Sequence, residues 1–156
     1  MSAAGDDLMY EPIHGMEKGM LMDLSGGCLC GAVRYRVSGP PQSTSLCHCE
    51  SCRRATGGPS LAWAIFAEDK VEIVAGELAV YESSPGVERG FCARCGTSLT
   101  YARANRPGLV DVATASLDDP ESCPPTKEIW TEERLSWEAA NRTLPQFAQF
   151  STPTES

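Results

Sequence analysis

No apolar run in these 156 residues approaches the roughly 20 that a membrane-spanning helix requires. The N-terminus also lacks a basic segment leading into an apolar one. Both shortages point to a cytoplasmic protein without a membrane partner. Basic residues are scarce too: 13 Lys and Arg stand against 21 Asp and Glu, a net charge of −8. Such a field repels a phosphate backbone unless a local basic patch overcomes it, so nucleic acid is not an expected partner. Internal repeats, heptads and low-complexity tracts are missing as well. With 42% apolar residues the chain supports one core and is too short for two ordinary domains.

Cysteine, by contrast, is plentiful. Seven of the eight fall into Cys28-x-Cys30, Cys47-x-Cys49-x-x-Cys52 and Cys92-x-x-Cys95, and only Cys123 stands alone. Disulfides generally link separated segments in exported proteins, whereas ligands that converge on one ion are closely spaced. Cys92-Ala93-Arg94-Cys95-Gly96 has the form of a zinc knuckle: a tight turn aims two sulfurs at one point, and Gly96 permits a positive φ after the second. A closed tetrahedral site needs two further sulfurs. Cys28 and Cys30 are the better donors, because the middle cluster has three cysteines and would leave one over. Such a zinc would staple the first strand to the central hairpin, a contribution on the order of 10–16 kcal/mol in small domains.

The middle cluster offers three thiolates from one short loop, and three protein ligands with a vacant position are the pattern of a catalytic zinc. Its cysteines, Cys47, Cys49 and Cys52, are the expected catalytic residues. His48 between two ligands projects elsewhere and reads as a packing, hydrogen-bonding or proton-carrying residue. Thiolate-rich zinc prefers a soft guest and lowers the pKa of a bound thiol, so a thiol is the expected ligand. Arg53 and Arg54, followed by the hydrogen-bonding turn Thr56-Gly57-Gly58, suit a carboxylate-bearing thiol such as glutathione. The plainer reading of both arginines is surface ion pairing with Glu50 or other acids.

The apolar pattern from Cys28 onward has mostly period two. Val33, Tyr35 and Val37 predict a half-buried strand, and Ser60–Phe66 a buried one whose alanines would also suit a helix. Val71–Val74 and Leu78–Tyr81, joined through Ala75-Gly76, predict a hairpin. Strands follow over Thr97–Ala102 and Leu109–Ala115, with a turn at Asn105–Gly108. Glu128–Trp137 is read as partly helical, or extended with Trp130 and Trp137 covering the sheet. Residues 1–24, which hold all five methionines, are expected to form a mobile tail. Because Met20 and Met22 directly precede the organised sequence, translation starting downstream of Met1 is a further expectation. The domain is placed at 25–140, and residues 141–156 are assigned to a C-terminal tail without regular structure.

Taken in order, Gly26-Gly27-Cys28-Leu29-Cys30-Gly31, Cys47-His48-Cys49-Glu50-Ser51-Cys52-Arg53-Arg54 with Thr56-Gly57, and Phe91-Cys92-Ala93-Arg94-Cys95-Gly96 resemble the glutathione-dependent formaldehyde-activating enzymes, a family that includes centromere protein V. The resemblance implies a mainly β, Mss4-like, zinc-stapled sheet domain with short connections. It implies a structural zinc on Cys28, Cys30, Cys92 and Cys95, and a labile second zinc on Cys47, Cys49 and Cys52. The implied activity is that of a carbon–sulfur lyase joining formaldehyde and glutathione to S-hydroxymethylglutathione, or a related reaction of a glutathione adduct. Where family members often carry His-Ile-aromatic before a Trp, this chain has Glu128-Ile129-Trp130. The competing functional reading is a non-catalytic, zinc-stapled interaction module.

Overall fold

The computed structural model describes residues 22–151. The expected tail and the alternative start therefore lie outside the described residues up to position 21, while Asp23 and Leu24 already belong to the first strand. Among the described residues ten strands form two sheets, and the protein is mainly β, as expected. β1 (Asp23–Gly27), β2 (Arg34–Ser38) and β5 (Val71–Ala75) make an antiparallel sheet in the order β1-β2-β5. The larger sheet runs β10-β3-β4-β9-β8-β7-β6. Its members are β3 (Ser43–Cys47), β4 (Leu61–Ala67), β6 (Ala79–Ser84), β7 (Val87–Phe91), β8 (Ser98–Arg103), β9 (Leu109–Ala113) and β10 (Glu128–Ile129). Only β10 is parallel to its neighbour β3.

The apolar run of β4 is continuous because both of its faces are covered. Leu61 and Trp63 enter one core cluster, with Cys47, Cys52, Ala113 and Ile129. Ala64 and Phe66 enter the other, with Val33, Tyr35, Val37, Leu99 and Val112. That second cluster joins the two sheets, and fully burying each large side chain contributes about 1.5–3 kcal/mol.

The expected hairpin of residues 71–81 is not formed. β5 pairs with β2 and β6 with β7, so these neighbours in sequence belong to different sheets. The crossing point is Gly76, at φ +70°, where a Cβ would stand 2.2 Å from the Ala32 carbonyl oxygen. Glycine at such a corner resembles a hairpin signal locally; which strand β5 joins is decided by long-range pairing with β2, where Tyr35 lies opposite Ile73 and Val37 opposite Val71.

Beyond β9 the chain is held by short 3-10 turns, one of them at Thr131–Glu133. Trp130 is half-buried, whereas Trp137 is 72% exposed and covers no sheet. Residues 145–151 have no strand of their own, yet they run along β10. The Glu128 amide donates to the Pro145 carbonyl, the Phe147 amide to the Glu128 carbonyl and the Trp130 amide to the Gln149 carbonyl. This strap brings Phe150 against Trp130, with ring centres 5.1 Å apart.

Candidate metal centres and active-site cleft

Each half of the first cysteine group sits on a hairpin turn. The β1–β2 turn is closed by the Cys28 amide on the Val33 carbonyl, and the β7–β8 turn by the Cys92 amide on the Thr97 carbonyl. Gly96 takes φ +79°, as the knuckle requires. One turn comes from each sheet, so an ion shared by the four sulfurs would tie the two sheets together. The four sulfurs lie within 4.8 Å of one another, with Cys28 to Cys30 at 3.6 Å and Cys30 to Cys92 at 3.9 Å. Metal–sulfur bonds of about 2.3 Å in a tetrahedron place sulfurs about 3.8 Å apart, so this geometry suits a metal of zinc's size. The Val33 amide donates to Cys28 Sγ and holds that thiol below its usual pKa. Thr97, through its hydroxyl and amide, holds Cys95 down at about 5. Both effects favour the thiolate that a metal needs.

The second group is built where β3 runs into the short helix α1 (Glu50–Thr56). Cys47 ends the strand, Cys49 caps the helix by accepting the Cys52 amide, and Cys52 lies buried in the helix. Their three sulfurs again lie within 4.8 Å of one another. Hydrogen bonds from Cys47 and Cys49 pull the Cys52 thiol down to about 2, aided by the Trp63 indole N–H and by Arg89. Cys47 is pushed up by its hydrogen bonds to Cys49 and Cys52. Cys49 is lowered by Cys47, but Cys52 and burial outweigh this and hold it at about 11. The protein alone thus stabilises one thiolate in the trio. Ionising all three requires a cation among them, so this donor set too fits a metal ion.

These sulfurs form one end of a cleft of about 280 Å³. Trp63, Tyr101, Trp130 and Phe150 supply aromatic walls, and Arg89, Glu133 and Ser83 supply polar ones. Arg89 is the only cationic side chain among the cleft's lining residues. Its guanidinium lies 4.8 Å over the Tyr101 ring, its Nε donates to Ser83, and its two terminal nitrogens stand 3.9 and 4.0 Å from Cys52 Sγ. Glu133 Oε2 accepts the Glu50 amide at 2.6 Å. Asp111, at the cleft's buried edge, is paired with Arg106 at 2.6 Å.

Arg53, Thr56 and Gly57 are not among the residues lining this cleft. Arg53 donates to the His48 carbonyl, Thr56 to the Cys52 carbonyl, and Gly57 caps the helix at φ +71°. Arg54 forms a surface pair with Glu50. His48 is wholly buried and belongs to neither sulfur group; its Nδ1 is 3.1 Å from Glu138 Oε2, and its Nε2 is 3.7 Å from Glu128 Oε2. Glu128 is also buried and pairs with Arg134. Cys123 is buried against the inter-sheet core, outside both groups. Sequence reading missed the cleft's walls because they come from separate strands and turns. Arg89 carries no local mark in Val87–Phe91 beyond strand alternation.

Residues 23–133 match the family described as glutathione-dependent formaldehyde-activating enzyme. A Halomonas elongata protein, provisionally named as such an enzyme, is 32% identical over 126 residues, covering 74% of this chain and 80% of its own. A Schizosaccharomyces pombe protein named only as an uncharacterised lyase is 34% identical over 84 residues, 53% of this chain and 60% of its own. A Rhodobacter sphaeroides crystal structure is similar, with a TM-score of 0.51 and 27% identity, over 60% of this chain and 87% of the other.

Proposed function

Because the chain belongs to the glutathione-dependent formaldehyde-activating enzyme family, we propose that it is a carbon–sulfur lyase that joins the thiol of glutathione to an aldehyde carbonyl and reverses that addition. The observation carrying this reading is the trio Cys47, Cys49 and Cys52 at the end of a cleft that also holds one arginine. Cys28, Cys30, Cys92 and Cys95 would hold a structural zinc, and the trio a second one with a vacant position. Zinc bound at the trio would supply a thiolate at neutral pH by lowering the pKa of a thiol next to it.

The chain's own groups orient the partners. Arg89 offers its fork to a carboxylate of the tripeptide, and Glu133 suits the tripeptide's ammonium. Burial raises the pKa of Tyr101, so its hydroxyl keeps its proton and is able to donate to the oxygen that gains charge. In the addition, sulfur bonds to the carbonyl carbon, the π pair moves to oxygen, and the thiol's proton ends on that oxygen. Nothing is oxidised.

Exchange spectroscopy on glutathione with formaldehyde, with and without protein, tests the reading. Faster interconversion that disappears in a Cys47→Ser, Cys49→Ser, Cys52→Ser triple variant is the expected result. No acceleration of any glutathione–aldehyde pair would move the protein to the interaction-module reading.

A further inference from the structure

Four aromatic side chains from distant parts of the chain line the cleft that holds the sulfur trio: Trp63 of β4, Tyr101 of β8, Trp130 after β10 and Phe150 of the C-terminal strap. Trp63 and Tyr101 are stacked at a tilt with centres 5.7 Å apart, and Trp130 meets Phe150 edge to face. Neither partner in the family's name-giving reaction accounts for these walls. Glutathione is polar throughout, and formaldehyde has no substituent. The cleft's volume, about 280 Å³, approaches the lower end of the roughly 300–1,000 Å³ typical of pockets for larger organic ligands.

The backbone gives an independent indication. Among the described residues Trp130 is the one non-glycine at positive φ, at 56°. A bulky residue in the left-handed region is a costly outlier, and such outliers gather at ligand sites. Here the strained conformation belongs to a residue that lines the cleft and packs against Phe150.

We propose that the aldehyde used at this site is an aromatic one, its ring held among Trp63, Tyr101, Trp130 and Phe150 while its carbonyl faces the sulfur trio. The proposal rests on the glutathione–aldehyde reading and names its substrate class. The addition balances as before: a carbon–sulfur bond forms, the carbonyl π bond opens, and the thiol's proton moves to the oxygen, giving a hemithioacetal. Aromatic walls favour a planar apolar guest through offset and edge-to-face contacts.

Calorimetry with two stable adduct mimics, S-benzylglutathione and S-methylglutathione, tests this on the metal-loaded protein without turnover. The benzyl thioether is expected to bind about tenfold or more tightly than the methyl one. Phe150→Ala, checked for folding by circular dichroism, should shrink that ratio; if the variant does not fold, the wild-type ratio decides. In rate measurements kcat/KM should likewise be higher for benzaldehyde than for formaldehyde. Equal affinities, or faster exchange with formaldehyde and none with benzaldehyde, would overturn the aromatic-aldehyde proposal and leave the lyase reading intact. Binding of neither thioether, with no acceleration of either aldehyde, would overturn both.

Discussion

Arg89 meets Cys52 in the cleft, its two terminal nitrogens 3.9 and 4.0 Å from the sulfur and its guanidinium carbon 4.8 Å over the Tyr101 ring. The guanidinium compensates the thiolate, and the proposed function also assigns it a carboxylate of the tripeptide. β7 carries Arg89 and α1 carries Cys52, so this contact joins two elements that share no local sequence signal.

Arg89→Ala should therefore lower kcat/KM for glutathione adducts by about tenfold or more while altering the fold little. Arg89→Lys, which keeps the charge but loses the fork and the planar stacking, should recover only part of the loss. Steady-state kinetics beside thermal unfolding separate the two effects, and an unchanged kcat/KM in Arg89→Ala would remove the arginine from substrate handling.

The loop that carries Cys47 and Cys49 is braced through His48 by Glu138, which also accepts the Ser60 hydroxyl at 2.8 Å. Glu138→Ala should weaken metal binding at the trio by about 10–100-fold, the usual cost of losing a group that orients a ligand loop. Glu138→Gln, which keeps an acceptor for the imidazole, should fall between. Competition against a chelator reports the affinity directly, and a wild-type affinity in Glu138→Ala would show that the brace has no influence on the trio.

Cysteine replacements should divide by cluster. Cys28→Ser or Cys92→Ser should leave a largely unfolded product, because a structural zinc supplies about 10–16 kcal/mol against a usual net stability of about 5–15 kcal/mol. Cys49→Ser should keep its circular dichroism spectrum and lose about one metal ion per chain if both sites are filled as purified. Metal analysis and thermal melts decide both; native stability in Cys92→Ser would refute the staple.

Arg106 and Asp111 form a buried pair, 8% and 9% exposed. Removing the guanidinium takes the hydrogen-bonded cation from a buried carboxylate, and Arg106→Ala should cost about 3–5 kcal/mol in denaturant unfolding. Burial, opposed by Arg106, raises the Asp111 pKa to about 6. The native state then binds more protons than the unfolded chain between about pH 4 and 6. This group's contribution to stability consequently falls as pH rises through that window. Without Arg106 the folded pKa rises further, so Arg106→Ala should be hurt more at pH 8 than at pH 5. An equal loss at both values would contradict the sign.

Several features of this protein were determined by local sequence. The knuckle at Cys92–Gly96 was legible because two sulfurs and a left-handed glycine define a turn within five residues. The grouping of cysteines into four and three was legible because close spacing marks each segment's sulfurs and a closed site of four takes two pairs, leaving the trio whole. β2, β4, β8 and β9 announced themselves through their apolar patterns.

Tertiary structure decided what depends on pairing between distant segments. Gly76 marked a turn, but only the pairing of β5 with β2 made it a crossing between sheets. Arg53 stood next to the trio in sequence, yet the helix turns it back onto the His48 carbonyl, while Arg89, 37 residues beyond Cys52, reaches the sulfur. The aromatic walls and the C-terminal strap were likewise invisible locally, since a helix or strand directs neighbouring side chains apart and lets remote ones meet.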